Sequence, residues 1–336
     1  MPKVPISSLV LCTVLAAACA SPGGKDGGVP PEDGRIHVVT TVSPITNLVQ
    51  NVGGSDVIVT GLVPEGTNSH TFEPAPSDAA VIEDADVMFV NGLHLEEPTM
   101  ELARANLRDD VPLVELGSRT ITPDEYIYDF SFPEAGGAPN PHLWTNPAYA
   151  KRYAEIIKDE LSRLDPAKEA DFAANYGALV GQLDEIDVAV REVTETVPPE
   201  YRKLLTYHDS FPYFAREYGW EIIGAVQPAD LAEPTAQEVA ELIDQVRSTG
   251  VPAIFGSEVF PSPVLEQIAD ETGARYVDDL RDDDLPGEAG APEHSLAGLL
   301  LFDYSTFMEA LGGDASAFER IDPSNVVETE DAVYRS

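Results

Sequence analysis

Between residues 172 and 193 the apolar side chains Phe172, Tyr176, Leu179, Leu183, Ile186, Val190 and Val193 recur at alternating steps of four and three. That spacing puts all seven on one face of a single long α-helix. The helix is expected over 166–198, where Pro198-Pro199 stops it. It divides the chain into two stretches, each with its own alternation of strands and helices.

In the first stretch "RIHVVTTV" (35–42) reads as a buried strand. Ser43-Pro44 then predicts a helix start, with Ser as N-cap and Pro at the first helical position. "ITNLVQNV" continues that helix, Gly53-Gly54 ends it, and "DVIVTGLV" (56–63) is the next strand, which makes a β-α-β unit. Ser77 is placed to cap a helix over "DAAVIEDA"; "DVMFVNG" (86–92) and "VPLVELG" (111–117) are further strands. Residues 121–141 read as a loop and 146–164 as a helix. In the second stretch "RKLLTY" (202–207), "WEIIGAVQ" (220–227), "PAIFGS" (252–257) and "ARYVDDL" (274–280) are strands. The helices between them are expected to end at Gly250 and Gly273, and "LAGLLLFDYSTFMEALGG" closes the series. The fold class is α/β: two α/β lobes, 36–165 and 199–313, joined by one long rigid α-helix. Residues 314–336, acidic and polar, are expected to form a loose tail.

The N-terminal stretch "VPISSLVLCTVLAAA" is apolar but too short to span a bilayer as an ordinary helix, and it reads as an export signal over 1–18. It runs into Leu15-Ala16-Ala17-Ala18-Cys19, which resembles a bacterial lipoprotein cleavage box, with Ala16 where such boxes often carry leucine. Cys19 would then be the lipidated first residue. The Gly-, Pro- and Asp-rich segment after it, 19–35, reads as a flexible tether. Cys12 and Cys19 are the only cysteines, so the lobes have neither disulfides nor thiolate ligands, and any metal site must use His, Asp or Glu. With 59 acidic against 20 basic residues the formal net charge is −39, which repels nucleic acid and anionic membrane surfaces. Membrane association is expected only through the lipid anchor, and a monomer is expected.

Histidine positions carry the functional reading. His70, in "NSHTFEPAPSD", and His142, in "NPHLWTNP", lie on proline-flanked loops of the first stretch. His208 directly follows "RKLLTY", Glu258 follows "PAIFGS", and Asp278 is read at the carboxyl end of "ARYV". Open α/β sheets bind ligands in the crevice beyond the carboxyl ends of their strands. Position alone leaves a metal site and a set of unrelated solvated or capping groups equally open. His37 reads as packed within a strand, and His94 and His294 as surface groups.

These segments carry a resemblance. "NSHTFEPAPSD", "NPHLWTNP", "TYHDSFPYFAREYGW" and "ARYVDDL" resemble, in order, the signature segments of zinc/manganese-type solute-binding lipoproteins of bacterial ABC importers, and "FGSEVFPSPVLEQIADETGA" fits the segment between the third and fourth. The likeness covers roughly residues 36–312. It implies a metal site in the interlobe cleft with His70 and His142 from the first lobe and His208 and Asp278 from the second, Asp279 being the alternative fourth ligand. Glu258 would stand behind the ligands, as would Glu73 or Asp209. It also implies an extracytoplasmic receptor that delivers its metal to an ABC permease, not an enzyme. Residues 121–141 occupy the place of the histidine-rich loop of zinc-dedicated members but contain no histidine.

Three imidazoles and one carboxylate make a tetrahedral set suited to Zn2+, whereas Mn2+ prefers more oxygen donors. Zinc is therefore favoured, with manganese the alternative. Ligands drawn from both lobes predict small lobe movement on capture, and affinity that falls as pH drops through the histidine titration range. A secreted zinc hydrolase and a surface adhesin are the rival readings. No His-Glu-x-x-His helix or nucleophile setting supports the first, and nothing in the sequence encodes a host partner for the second.

Overall fold

The computed structural model describes residue 1 and residues 34–227, 234–257, 262–330 and 332–334. Cys19, the leader, most of the tether and Glu258 lie outside the described residues. The first lobe contains β1 (Ile36–Thr40), α1 (Ser43–Gly53), β2 (Val57–Gly61), α2 (Asp78–Asp84), β3 (Val87–Val90), α3 (Glu97–Asn106), β4 (Leu113–Glu115), α4 (Leu116–Thr120) and α5 (Pro147–Leu164). The linking helix is α6 (Glu169–Thr196). The second lobe contains β5 (Lys203–Thr206), α7 (Pro212–Tyr218), β6 (Glu221–Ala225), α8 (Ala236–Thr249), β7 (Ala253–Ser257), α9 (Pro263–Thr272), β8 (Arg275–Leu280) and α10 (Leu296–Ala310), and β9 (Val333–Tyr334) follows it.

Strands of the first lobe are near-continuous Val, Ile and Phe runs because a parallel sheet clad by helices is buried on both faces. Their order is β4-β3-β1-β2-β9, every pair parallel, with Val38 opposite both Val59 and Val87. In the second lobe β5 pairs with β6 and β7 with β8, both parallel, and β5 packs beside β7. Gly250 and Gly273 close α8 and α9 in the left-handed conformation, at φ of 65° and 79°, which a side chain would strain.

Helix α6 has 28 residues, about 42 Å at 1.5 Å per residue. Phe172, Leu179, Leu183, Ile186, Val190 and Val193 are buried, and Tyr176 is partly buried under Lys158. The helix packs against α1 and α5 of the first lobe and α10 of the second. One apolar cluster therefore runs from the first sheet through α6 into the second lobe. There it becomes aromatic: Phe211, Phe214, Trp220, Phe255 and Tyr304 all meet Phe307.

Two local readings change. Ser43 does not cap α1; its hydroxyl donates to the carbonyl of Asp283 at 3.0 Å. Residues 314–334 do not hang loose where they are described. Ala315, Ala317 and Phe318 are buried, Asn325 Oδ1 accepts from Asn47 and Asn51 of α1, and β9 adds a parallel strand to β2. Acidic composition concealed this because the anchors are a few scattered apolar side chains, an amide and main chain, with no long apolar stripe.

Candidate metal centre

Three loops and one turn meet where the lobes face each other. His70 stands on the loop after β2, its amide donating to Asn68 Oδ1 at 2.9 Å. His142 stands just before α5. Its amide donates to Asn140 Oδ1 at 2.9 Å, and its Nδ1 lies 3.0 Å from the same oxygen. That carbonyl accepts the Nδ1 proton, so the Nε2 lone pair is turned to the centre. His208 follows β5, with Nδ1 3.3 Å from Asp282 Oδ2. Ser210 Oγ donates to that carboxylate at 2.9 Å and lies 2.8 Å from His208 Nε2.

The fourth group of the cluster is Asp283, which corrects the expectation for Asp278. Strand β8 runs to Leu280, as expected, so Asp278 does not stand at its carboxyl end. Asp278 and its alternative Asp279 therefore lie within the strand and are exposed. The chain crosses into the cleft only in the turn 281–284. Three consecutive aspartates there have separate partners. Asp282 faces His208 and Ser210, Asp283 Oδ2 accepts from Ser69 Oγ at 2.6 Å, and Asp284 Oδ2 accepts from the amide of Gly66 at 2.7 Å. The turn is braced by buried Asp303, which accepts the amides of Arg281 and Asp282, and by Trp144, whose Nε1 donates to the carbonyl of Asp282 at 2.9 Å.

The four donor atoms converge. His142 Nε2 lies 3.2 Å from His70 Nε2, 3.3 Å from His208 Nε2 and 3.5 Å from Asp283 Oδ1. Corners of a tetrahedron with bonds of about 2.0–2.15 Å stand about 3.3–3.5 Å apart. Asp283 Oδ1 is buried without a hydrogen-bond partner. Burial, reinforced by His208, lowers His70 to about 3. Burial and the two neighbouring imidazoles hold His142 well below the usual range, and burial lowers His208. All three rings are thus neutral at neutral pH, the form that binds metal. Burial and neighbouring Asp282 lift Asp283 to about 6, against the pull of His208 and Ser69. This is an arrangement that a central cation would relieve.

Among the residues expected behind the ligands, Glu73 is exposed, and Asp209 is buried beside His208 near the carboxylate of Asp129. Groups that do touch the cluster, Asn140, Asp282, Ser69 and the ring of Phe132, were not singled out from sequence. The strand read over 274–280, with Val277 and Leu280 as its apolar positions, already enclosed Asp278 and Asp279 and pointed to the residues after Leu280 for the carboxylate. His37, His94 and His294 stay apart from the cluster. His94 pairs with Glu97 at 2.8 Å and His294 with Glu65 at 3.2 Å.

The chain matches, over residues 38–308, the family described as zinc-uptake complex component A, periplasmic. It belongs to that family. It is similar to the zinc-binding protein TroA of Treponema pallidum, 31% identical over 293 residues, covering 86% of this chain and 92% of that protein. The manganese-binding lipoprotein MntA of Halalkalibacterium halodurans is 27% identical over 311 residues, covering 93% and 99%. The solved structure of periplasmic zinc-binding protein TroA superposes with a TM-score of 0.75 at 30% identity, covering 83% of this chain and 99% of that one. The two-lobe fold is thus that of a periplasmic metal-binding protein, and the family's role is that of a substrate-binding component, not an enzyme.

Proposed function

We propose that this chain is an extracytoplasmic receptor that captures one divalent transition metal between its lobes and delivers it to the permease of an ABC importer. His70, His142, His208 and Asp283 are its ligands. The observation that carries the reading is the convergence of three imidazole nitrogens and one carboxylate oxygen, His142 Nε2 lying 3.2–3.5 Å from the other three and all four within 4.8 Å of one another, with the outer atoms of His142, His208 and Asp283 engaged by Asn140, Asp282 and Ser69. Four protein donors close a tetrahedral site and leave no open position for a catalytic water. Zinc is the favoured cargo, since Ser69 occupies the second oxygen of Asp283 and so favours one-oxygen coordination; manganese, which takes more oxygen donors, is the alternative. Attachment through a lipid on Cys19 and a monomeric state complete the proposal. Among the described residues no helix is long and apolar enough to cross a membrane.

The test is metal content. Protein purified without chelator is expected to carry one divalent transition metal per chain by mass spectrometry, and His142→Ala to carry none. Metal retained in full by His142→Ala would refute the site.

A further inference from the structure

Around the imidazole cluster His142, His208, Trp144 and Asp282 are buried, whereas His70, Asp283 and Phe132 are partly exposed. The ring of Phe132 lies 5.5 Å from that of His70, tilted by 36°, and 5.7 Å from that of His142, edge to face. On the far side of His142 the ring of Trp144 is buried. Phe132 therefore packs on two of the imidazoles at a partly exposed side of the cluster.

Its backbone is held by a compact device. Asp129 Oδ1 accepts the amides of Ser131 and Phe132 at 3.1 and 3.0 Å, while the Asp129 amide donates to the carbonyl of Phe132 at 2.9 Å. Asp129 Oδ2 accepts Asn140 Nδ2 at 2.8 Å, and Asn140 Oδ1 is the acceptor that orients His142. Across the cleft Ser131 Oγ donates to the carbonyl of Gln227 at 3.0 Å and accepts the amide of Asp209 at 3.2 Å. The turn 129–132 thus belongs to the first lobe, is latched to the second, and shares one carboxylate with the support of a cluster histidine.

We propose that Phe132 is an aromatic cover that sets the rate at which the cation enters and leaves, and that Asp129 is its positioning residue, tying the cover to His142 through Asn140. This rests on the metal-centre reading above. A cover that must swing aside slows both directions, so its loss changes rates more than affinity.

Cobalt(II) tests this, because its visible absorption reports the coordination sphere separately from the exchange rate. The purified chain is loaded with one cobalt, and its release into excess chelator is followed by stopped flow. Phe132→Ala is expected to release about tenfold faster, the worth of one aromatic contact, with the dissociation constant changed by less than about threefold and the spectrum unaltered. Phe132→Tyr restores the parental rate. Asp129→Asn accelerates release and also shifts the spectrum, because Asn140 no longer holds His142. Phe132→Leu, which keeps apolar volume without a flat ring, substitutes if the alanine variant does not fold, and is expected to exchange faster than the parent. Release from the alanine or leucine variant within about twofold of the parental rate overturns the proposal, as does an altered spectrum in either. A parent that binds no cobalt overturns the metal centre and the cover together, whereas a parent that binds and variants that exchange normally overturn the cover alone.

Discussion

Replacing Asp283 and Asp278 in turn separates the turn from the strand as the source of the fourth ligand. Asp283 Oδ1 is buried, lies 3.5 Å from His142 Nε2 and has no hydrogen-bond partner, so it is free to bind metal. Four-ligand zinc sites have apparent binding energies of about 10–16 kcal/mol, or about 3 kcal/mol per donor, which corresponds to about a hundredfold in affinity. Asp283→Ala should lose at least that, since it removes the only anionic donor. Asp278 is exposed within β8 and contributes only screened attraction, so Asp278→Ala should stay within about twofold. Competition against a chromophoric zinc chelator at fixed ionic strength measures both, with far-ultraviolet circular dichroism of the metal-free proteins confirming the fold. Equal losses in the two variants, or a loss at Asp278 alone, would refute the assignment of the turn.

Further outcomes follow from the same geometry. Burial lifts Glu96 from an ordinary 4.5 to about 7 although Thr41, Asn91 and Gly92 donate to it. The folded state then holds this proton more tightly than the unfolded one, so stability is greatest below pH 4.5 and declines as pH rises to about 7, by about 3 kcal/mol for this group alone. Urea unfolding of the metal-free protein at pH 5 and 8 should show a smaller decline in Glu96→Gln than in the parent. Asn325→Ala takes from the buried Asn47 amide the acceptor it uses, while Asn51 keeps its bonds to Asn47, and should cost about 2 kcal/mol, read as a lower urea midpoint at unchanged slope. Free zinc at about a hundred times its dissociation constant should stabilise the parent by about 2.7 kcal/mol, raising Tm by several degrees, and a chelator should reverse it. The same addition should leave His142→Ala unmoved.

The sequence was most legible where periodicity is long or punctuation is strong. The stripe from Phe172 to Val193 determined α6, and Gly250 and Gly273 marked the ends of α8 and α9. Three histidines were legible through the resemblance of the segments that carry them, since position alone left a metal site and unrelated groups equally open. The carboxylate was not, because Asp278, Asp279, Asp282, Asp283 and Asp284 are one residue type in one short run, and the strand 274–280 does not say which aspartate of the turn after it reaches the cleft. Ser43 shows the same limit: a hydroxyl suited to capping α1 serves a carbonyl far along the chain, and local propensity cannot register a partner that distant. Amide contacts of Asn325 with α1 escaped for the same reason.

The five-stranded sheet has a consequence for how this molecule comes into being. Its β1 and β2 are encoded early, yet the free edge of β2 is filled by Val333 and Tyr334, and Asn47 waits for a partner 278 positions downstream. A polypeptide emerging from its N-terminal end therefore cannot complete its first lobe before the last segment has arrived. Until then β2 presents an unfilled backbone edge, the kind of surface on which nascent chains stick to one another. Shortening the polypeptide beyond α10 would harm the lobe farthest from the cut.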